Sequence, residues 1–421
     1  MEKRYVTDNG VSVYGYKNSA AHGFFISLFL RAGSMFESES EVGITHFLEH
    51  VLIRNVNKVM DSRLYSELDR HGVEFNASTY SEMVQFYVSG GSDNFHFGAK
   101  VIAELLSPVM LSRSEIDAER RRIKAEIREG DDKTSLTSFS NGIVHEGTTL
   151  ARPITGTLGS VGKITLSALQ EYRRRVFVSE NFFFYITGNF TESDVSLLMK
   201  LIDSKDVPRG VARDNIAPVS KKFLSRDSSV QVKNADYTML RFSFDVDMRN
   251  LSVPATDLLY DMLLSGYNSR LFIEMSEQRG LLYDLNGALE RYSNAGELYF
   301  SFEVKERDVC DAVALTVSVL KEIKSTLPNE RDCMKAGYVD NAYMLLDDQR
   351  DLNFTFAYDN HIMELGYASV DERRAAYAAV TPEEINRTAC QIFRPECLTL
   401  SVKGNKKKID TARLSEMIRE L

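Results

Sequence analysis

Two histidines stand four residues apart in the segment His46-Phe47-Leu48-Glu49-His50, with a glutamate between them. On a helix this spacing projects both imidazoles from one face. Their ring nitrogens can then reach one Zn²⁺ at about 2.0–2.1 Å. Glu49 follows His46 by three residues, on an adjoining part of the same face, where a carboxylate can accept a proton from a water activated at the ion. A single histidine on an apolar face is an ordinary packing residue; two with a carboxylate in this order point to metal-assisted hydrolysis. Gly43 and Thr45 mark the start of the helix. The five other histidines (His22, His71, His96, His145 and His361) have no partner at metal spacing and are expected to be surface or core residues.

Catalytic zinc commonly has three protein ligands and one open position, so a third ligand is required. The segment SEIDAERRRIKAEIREGDD, from Ser114, has helical periodicity and carries Glu115, Glu119, Glu126 and Glu129. Glu119 and Glu126 are seven apart and share a face, two turns from each other. Spacing alone leaves the choice among the four open.

The elements that position these residues are repeated along the chain. SRLYSEL (62–68) recurs as SRLFIEM (269–275), each followed by a turn and an aromatic-rich stretch. TLSALQEYRRRVFVSENFFFYITGN (165–189) parallels TPEEINRTACQIFRPECLTLSVKGN (381–405): a Thr cap, an amphipathic helix, an apolar strand and a closing Gly-Asn. Matched blocks in the same order indicate two homologous halves. The reading is residues 1–205, a polar linker at 206–222 with Pro208 and Pro218, and residues 223–421, which lack the HxxEH motif. Strands are expected at 23–31 and 239–247, and helices are segregated from them. Each half is therefore an α+β domain with a mostly antiparallel sheet and helices packed on it.

Composition bounds the function. The 421 residues contain 51 Lys+Arg and 60 Asp+Glu, a net charge of −9, with 43% hydrophobic and 26% charged residues. These are the proportions of a globular protein. The acidic balance argues against a nucleic-acid partner, which would select a concentrated basic face. No apolar run reaches the 18 residues of a spanning helix, and no apolar stretch follows the first charges, so neither a membrane location nor a signal peptide is expected. Cys310, Cys333, Cys390 and Cys397 are widely spaced and read as reduced core thiols, which fits a cytoplasmic enzyme. The glycine-bearing loops at 89–94 and 157–163 match no phosphate-cradling pattern.

HxxEH is the inverzincin order of the zinc-helix motif. With the preceding AGSMFESESEVGIT, it closely resembles the pitrilysin/insulinase family, in particular its processing-peptidase-like members. The resemblance extends over NASTYSEMVQFYV (76–88), PITGTLGSVGKIT (153–165) and SRLFIEMSEQRGLLY (269–283), and so spans nearly the whole chain. It implies that the third ligand is a Glu 76 residues beyond the second histidine, which is Glu126, and that Glu119 is the acidic residue supporting the site. It implies one zinc per chain, and an edge strand at Asn76, Ala77, Ser78 and Thr79 that pairs with peptide substrate. It also implies a clamshell of two such units, in which the second half of one unit offers an Arg and, seven residues later, a Tyr to the zinc half of the other. Tyr283 fits the Tyr position, but Ser276 stands where the Arg belongs; Arg279 is the nearest substitute.

The expectation is a zinc endopeptidase cleaving unstructured, leader or presequence peptides in a closed chamber. Its partner would be a paralogous subunit supplying the Arg/Tyr pair, or else a second copy in a homodimer. The alternative is a non-catalytic subunit that serves as a peptide-binding scaffold, as some members of the family do.

Overall fold

The computed structural model describes residues 1–130, 135–210, 229–266, 268–282, 284–327 and 331–421, with the side chains of 331–334 excepted. Two sheets organise the chain. The first has six strands: β1 (Glu2–Val6), β2 (Ser12–Lys17), β3 (Gly23–Leu30), β4 (Glu74–Thr79), β5 (Val84–Gly91) and β6 (Phe182–Gly188), in the order β1-β2-β6-β3-β5-β4. The second has five: β7 (Ser229–Asn234), β8 (Thr238–Val246), β9 (Leu285–Arg291), β10 (Gly296–Val304) and β11 (Leu398–Gly404), in the order β7-β11-β8-β10-β9. In each, one pair is parallel (β2 with β6, β7 with β11) and the rest are antiparallel. Five strands of the first sheet thus repeat the order of the second. This is the duplication read from the sequence, as two α+β domains with mixed sheets.

By contacts, the first unit comprises the described residues of 1–131, 152–217 and 343–372; the second takes those of 132–151, 218–342 and 373–421. Residues 211–222 of the expected linker lie outside the described residues.

In the first unit, β3 reads GFFISLFL and is buried almost throughout, as a central strand covered on both faces must be. One face meets α1 (Ile44–Val59) and the helices 95–103, 166–176 and 192–203, with Ile26, Leu28, Phe47, Leu48, Val51 and Leu52 in their common core. The other face is more polar. There the helix Gln349–His361 lies against β3 and β6, and buried Asn353 takes a hydrogen bond from Ser27 Oγ (2.7 Å) and donates to the Tyr185 carbonyl (3.0 Å). Burying those polar atoms is tolerable because each is paired.

The second sheet is covered in the same manner by the helix Leu136–Val144. Here Arg241, 2% exposed, stacks on Tyr299 (3.6 Å to the ring centroid) and donates to Glu297 (2.9 Å), which also meets His145 Nε2 at 3.0 Å. Burial opposes the charge of Glu297, but His145 and Arg241 more than offset it and hold its pKa down to about 2. The expectation of core thiols needs a correction: Cys397 is buried, but Cys310 is half-buried and Cys390 exposed, because the outer faces of their helices turn to solvent; the Cys333 side chain lies outside the described residues.

Candidate metal centre

HFLEH lies in the first two turns of α1, on the side turned to the core. The start of this helix is fixed by an unusual cap. Gly43 adopts φ +86°, and buried Glu37 accepts the N–H groups of Gly43 (2.8 Å) and Thr45 (2.9 Å). A carboxylate placed there satisfies two orphan donors and complements the positive end of the helix. Only glycine fits at 43, since a Cβ would come within 2.7 Å of Gly156 Cα. Thr45 Oγ1 is hydrogen-bonded to Tyr172 OH at 2.7 Å, which ties the first turn to the helix 166–176.

The second element is α2 (Arg113–Gly130), packed beside α1. It brings Glu126 to both histidines: Oε1 lies 3.4 Å from His46 Nε2, and Oε2 lies 3.5 Å from His50 Nε2. One ligand atom from each of the three falls within 4.8 Å of the others, and among the described residues this is the one His/Cys/Asp/Glu group so arranged. The donor set fits zinc: two imidazole nitrogens and a carboxylate oxygen, the three protein ligands that a catalytic zinc commonly takes. Burial, with the nearby His50, lowers the His46 pKa to about 4, so this ring is neutral and can offer a lone pair.

Glu119, two turns earlier on the same face of α2, sits at the opposite nitrogen of His50, with Oε2 3.6 Å from Nδ1. It is buried, and Arg54 donates to its other oxygen at 2.5 Å. Burial resists protonation of His50, but Glu119 and the carboxylates of Glu49 and Glu126 outweigh it and raise the pKa. Of the other two candidates on α2, Glu115 bonds to Ser112 and Lys58, while Glu129 is exposed.

Glu49 is buried beside the pair and accepts a hydrogen bond from Thr79 Oγ1 at 2.6 Å. Its pKa is raised, because burial outweighs that bond. Thr79 is the last residue of β4, which pairs only with β5 and forms an edge of its sheet. Asn76, Ala77 and Ser78 are on the same strand, and Asn76 Oδ1 accepts the Ala77 N–H. Arg54 and the bond from Thr79 to Glu49 escaped the sequence reading, although Arg54 follows His50 by four residues on the same helical face. Tyr283 lies outside the described residues; Ser276 is half-buried in the π-helical segment Ile273–Glu277, and Arg279 is exposed.

Residues 15–158 match the family model for insulinase (peptidase family M16), and residues 163–336 match that for the peptidase M16 inactive domain. The chain is 22% identical over 416 residues to the zinc protease YmxG of Bacillus subtilis, covering 96% of this chain and 99% of that one. Its fold is similar to that of a peptidase M16 inactive domain from Pseudomonas fluorescens (TM-score 0.84, 16% identity, 96% of this chain and 98% of the other). It is also similar to the periplasmic protease PqqL of Escherichia coli (TM-score 0.81, 19% identity), where it covers 100% of this chain and 50% of the longer one. No described helix is long and apolar enough to cross a membrane. With both halves matched in order and the relatives described as zinc proteases, the chain belongs to the pitrilysin/insulinase family of metallopeptidases.

Proposed function

We propose that the chain is a zinc-dependent endopeptidase acting on unstructured peptides, with one Zn²⁺ held by His46, His50 and Glu126. The observation that carries this is the meeting of those three side chains beside a buried carboxylate, Glu49, which is bonded to an edge strand. Bound zinc would polarise the scissile carbonyl and acidify a water. Glu49 takes the proton from the attacking water and delivers it to the leaving amine, a role suited to a carboxylate whose proton affinity is raised by burial. Thr79 holds Glu49 in place. Glu119 fixes the His50 ring through Nδ1 and so leaves Nε2 for the ion. A peptide can add to β4 through its backbone at 76–79, which gives affinity with little demand on sequence.

The second unit of the active assembly is a paralogue supplying Arg and Tyr, with a homodimer as the second reading; in the homodimer Tyr283 would steady the developing oxyanion. A cytoplasmic location fits the reduced thiols. The test is Glu49→Gln in the zinc-loaded protein. Zinc content and fold should persist, and cleavage of unstructured peptides should fall about 10²–10⁴-fold. Near-normal turnover in that variant would overturn the assignment.

A further inference from the structure

A cavity of about 460 Å³ opens directly from the metal centre and runs along α1 away from His46. Its walls are the α1 face from His50 to Lys58, a stretch of about 12 Å at 1.5 Å per residue, with α2 opposite and Asn76 of β4 at the rim. An extended peptide rises about 3.3 Å per residue, so side chains within roughly three residues of the cleaved bond reach this space.

The charges in the cavity differ in how far they face solvent. Glu119 is 2% exposed and is already shared by Arg54 and His50. Glu115 is 22% exposed and is taken by Ser112 and Lys58. The most open charge is Arg122, 71% exposed and reaching Glu119 only at 3.5 Å; Lys58 is 47% exposed and lies beside it in the lining, paired with Glu115 at 3.2 Å. Tyr65, more than half exposed, and Ile53 supply apolar wall.

We propose that this cavity is a specificity pocket that seats a carboxylate of the peptide, gripped by Arg122 and Lys58 against the ring of Tyr65. The pocket therefore selects acidic peptides, and this rests on the peptidase reading above. The carboxylate comes from a Glu or Asp side chain or from the peptide's own C-terminus. The Arg122 guanidinium can hold either one bidentately, whereas a Lys or Arg of the substrate would face like charge.

The test uses the full-length, zinc-loaded Glu49→Gln protein, which should hold peptides without cutting them, and reads binding by fluorescence anisotropy. The probes are unstructured peptides differing only by Glu, Gln or Lys at one position, each with a free or amidated C-terminus. The Glu peptide should bind about 5-fold more tightly than the Gln peptide at one position, the scale of one partly exposed charge-assisted pair, and the Lys peptide most weakly. Arg122→Glu should reverse that order, and Lys58→Gln should narrow it. A preference that follows the free C-terminus, and is lost on amidation, assigns the carboxylate to the chain end. Binding that ignores every one of these charges overturns the pocket and leaves the peptidase reading intact. Failure to bind any peptide overturns the pocket, and the peptidase reading is then judged separately by the loss of turnover on Glu49→Gln in the assembled enzyme.

Discussion

Replacing Glu119 by Gln isolates the role of a residue that does not reach the metal position. The substitution preserves size and removes one negative charge 3.6 Å from His50 Nδ1. Two unit charges at that distance in an effective dielectric of 20 attract by about 5 kcal/mol, which is an upper limit. His50 receives only part of this, because Arg54 at 2.5 Å and Arg122 at 3.5 Å draw on the same carboxylate. Loss of a carboxylate behind a ligating histidine weakens metal binding by about 10–100-fold, or about 1.4–2.7 kcal/mol, which falls within that limit. Zinc affinity is measured by competition with a chromophoric chelator, and circular dichroism checks that the fold is retained. Glu126→Gln should lose more, as a direct ligand, and exposed Glu129→Gln should lose nothing. A folded Glu119→Gln protein that binds zinc within threefold of the wild type would refute the argument, as would equal losses in the Glu126 and Glu129 variants.

Glu297→Gln should lower stability at neutral pH by up to about 3 kcal/mol, from the gap between an ordinary pKa of 4.5 and one of about 2. The advantage of the wild type is complete above about pH 4.5 and disappears as pH falls toward 2; a difference in urea midpoints unchanged from pH 7 to pH 3 would contradict the assigned pairing. Gly43→Ala forces a Cβ into left-handed backbone and against Gly156, so it should cost about 2 kcal/mol and loosen zinc, read from thermal melts and zinc competition. Purified alone, the chain should bind zinc but cleave unstructured peptides poorly until a paralogue bearing Arg and Tyr is added. Full activity from the isolated chain, undiminished by Tyr283→Phe, would dispose of that arrangement.

The parts of the site that lie close in sequence were legible from spacing. The helix bearing His46, Glu49 and His50 runs from Ile44 to Val59, and the expected strands at 23–31 and 239–247 are Gly23–Leu30 and Thr238–Val246. The duplication was legible because both sheets require the same succession of apolar strands and capped helices. Choosing among four glutamates was not, since α2 presents carboxylates on several faces and only its packing angle against α1 decides which one meets the histidines. Family resemblance supplied Glu126, and Glu126 is the carboxylate lying against both rings. Long-range polar pairs were equally hidden. His145 and His361 carry no local pattern, yet one meets Glu297 in a buried cluster and the other stacks on Tyr14 at 3.7 Å.

The helix Gln349–His361, which covers the polar face of the first sheet, has a consequence for how the protein is made. All six strands of that sheet are encoded before residue 189, but Asn353 and its helix come more than 160 residues later. At about 5–20 residues per second, a ribosome delivers them on the order of 10–30 s afterwards. During that interval the nascent sheet carries Ser27, Thr187 and the Tyr185 carbonyl without the bonds that Asn353 makes to them in the finished protein. Synthesis of the first half alone would leave it permanently at that stage, so truncation after the zinc-bearing segment should yield an aggregation-prone fragment rather than a small independent peptidase.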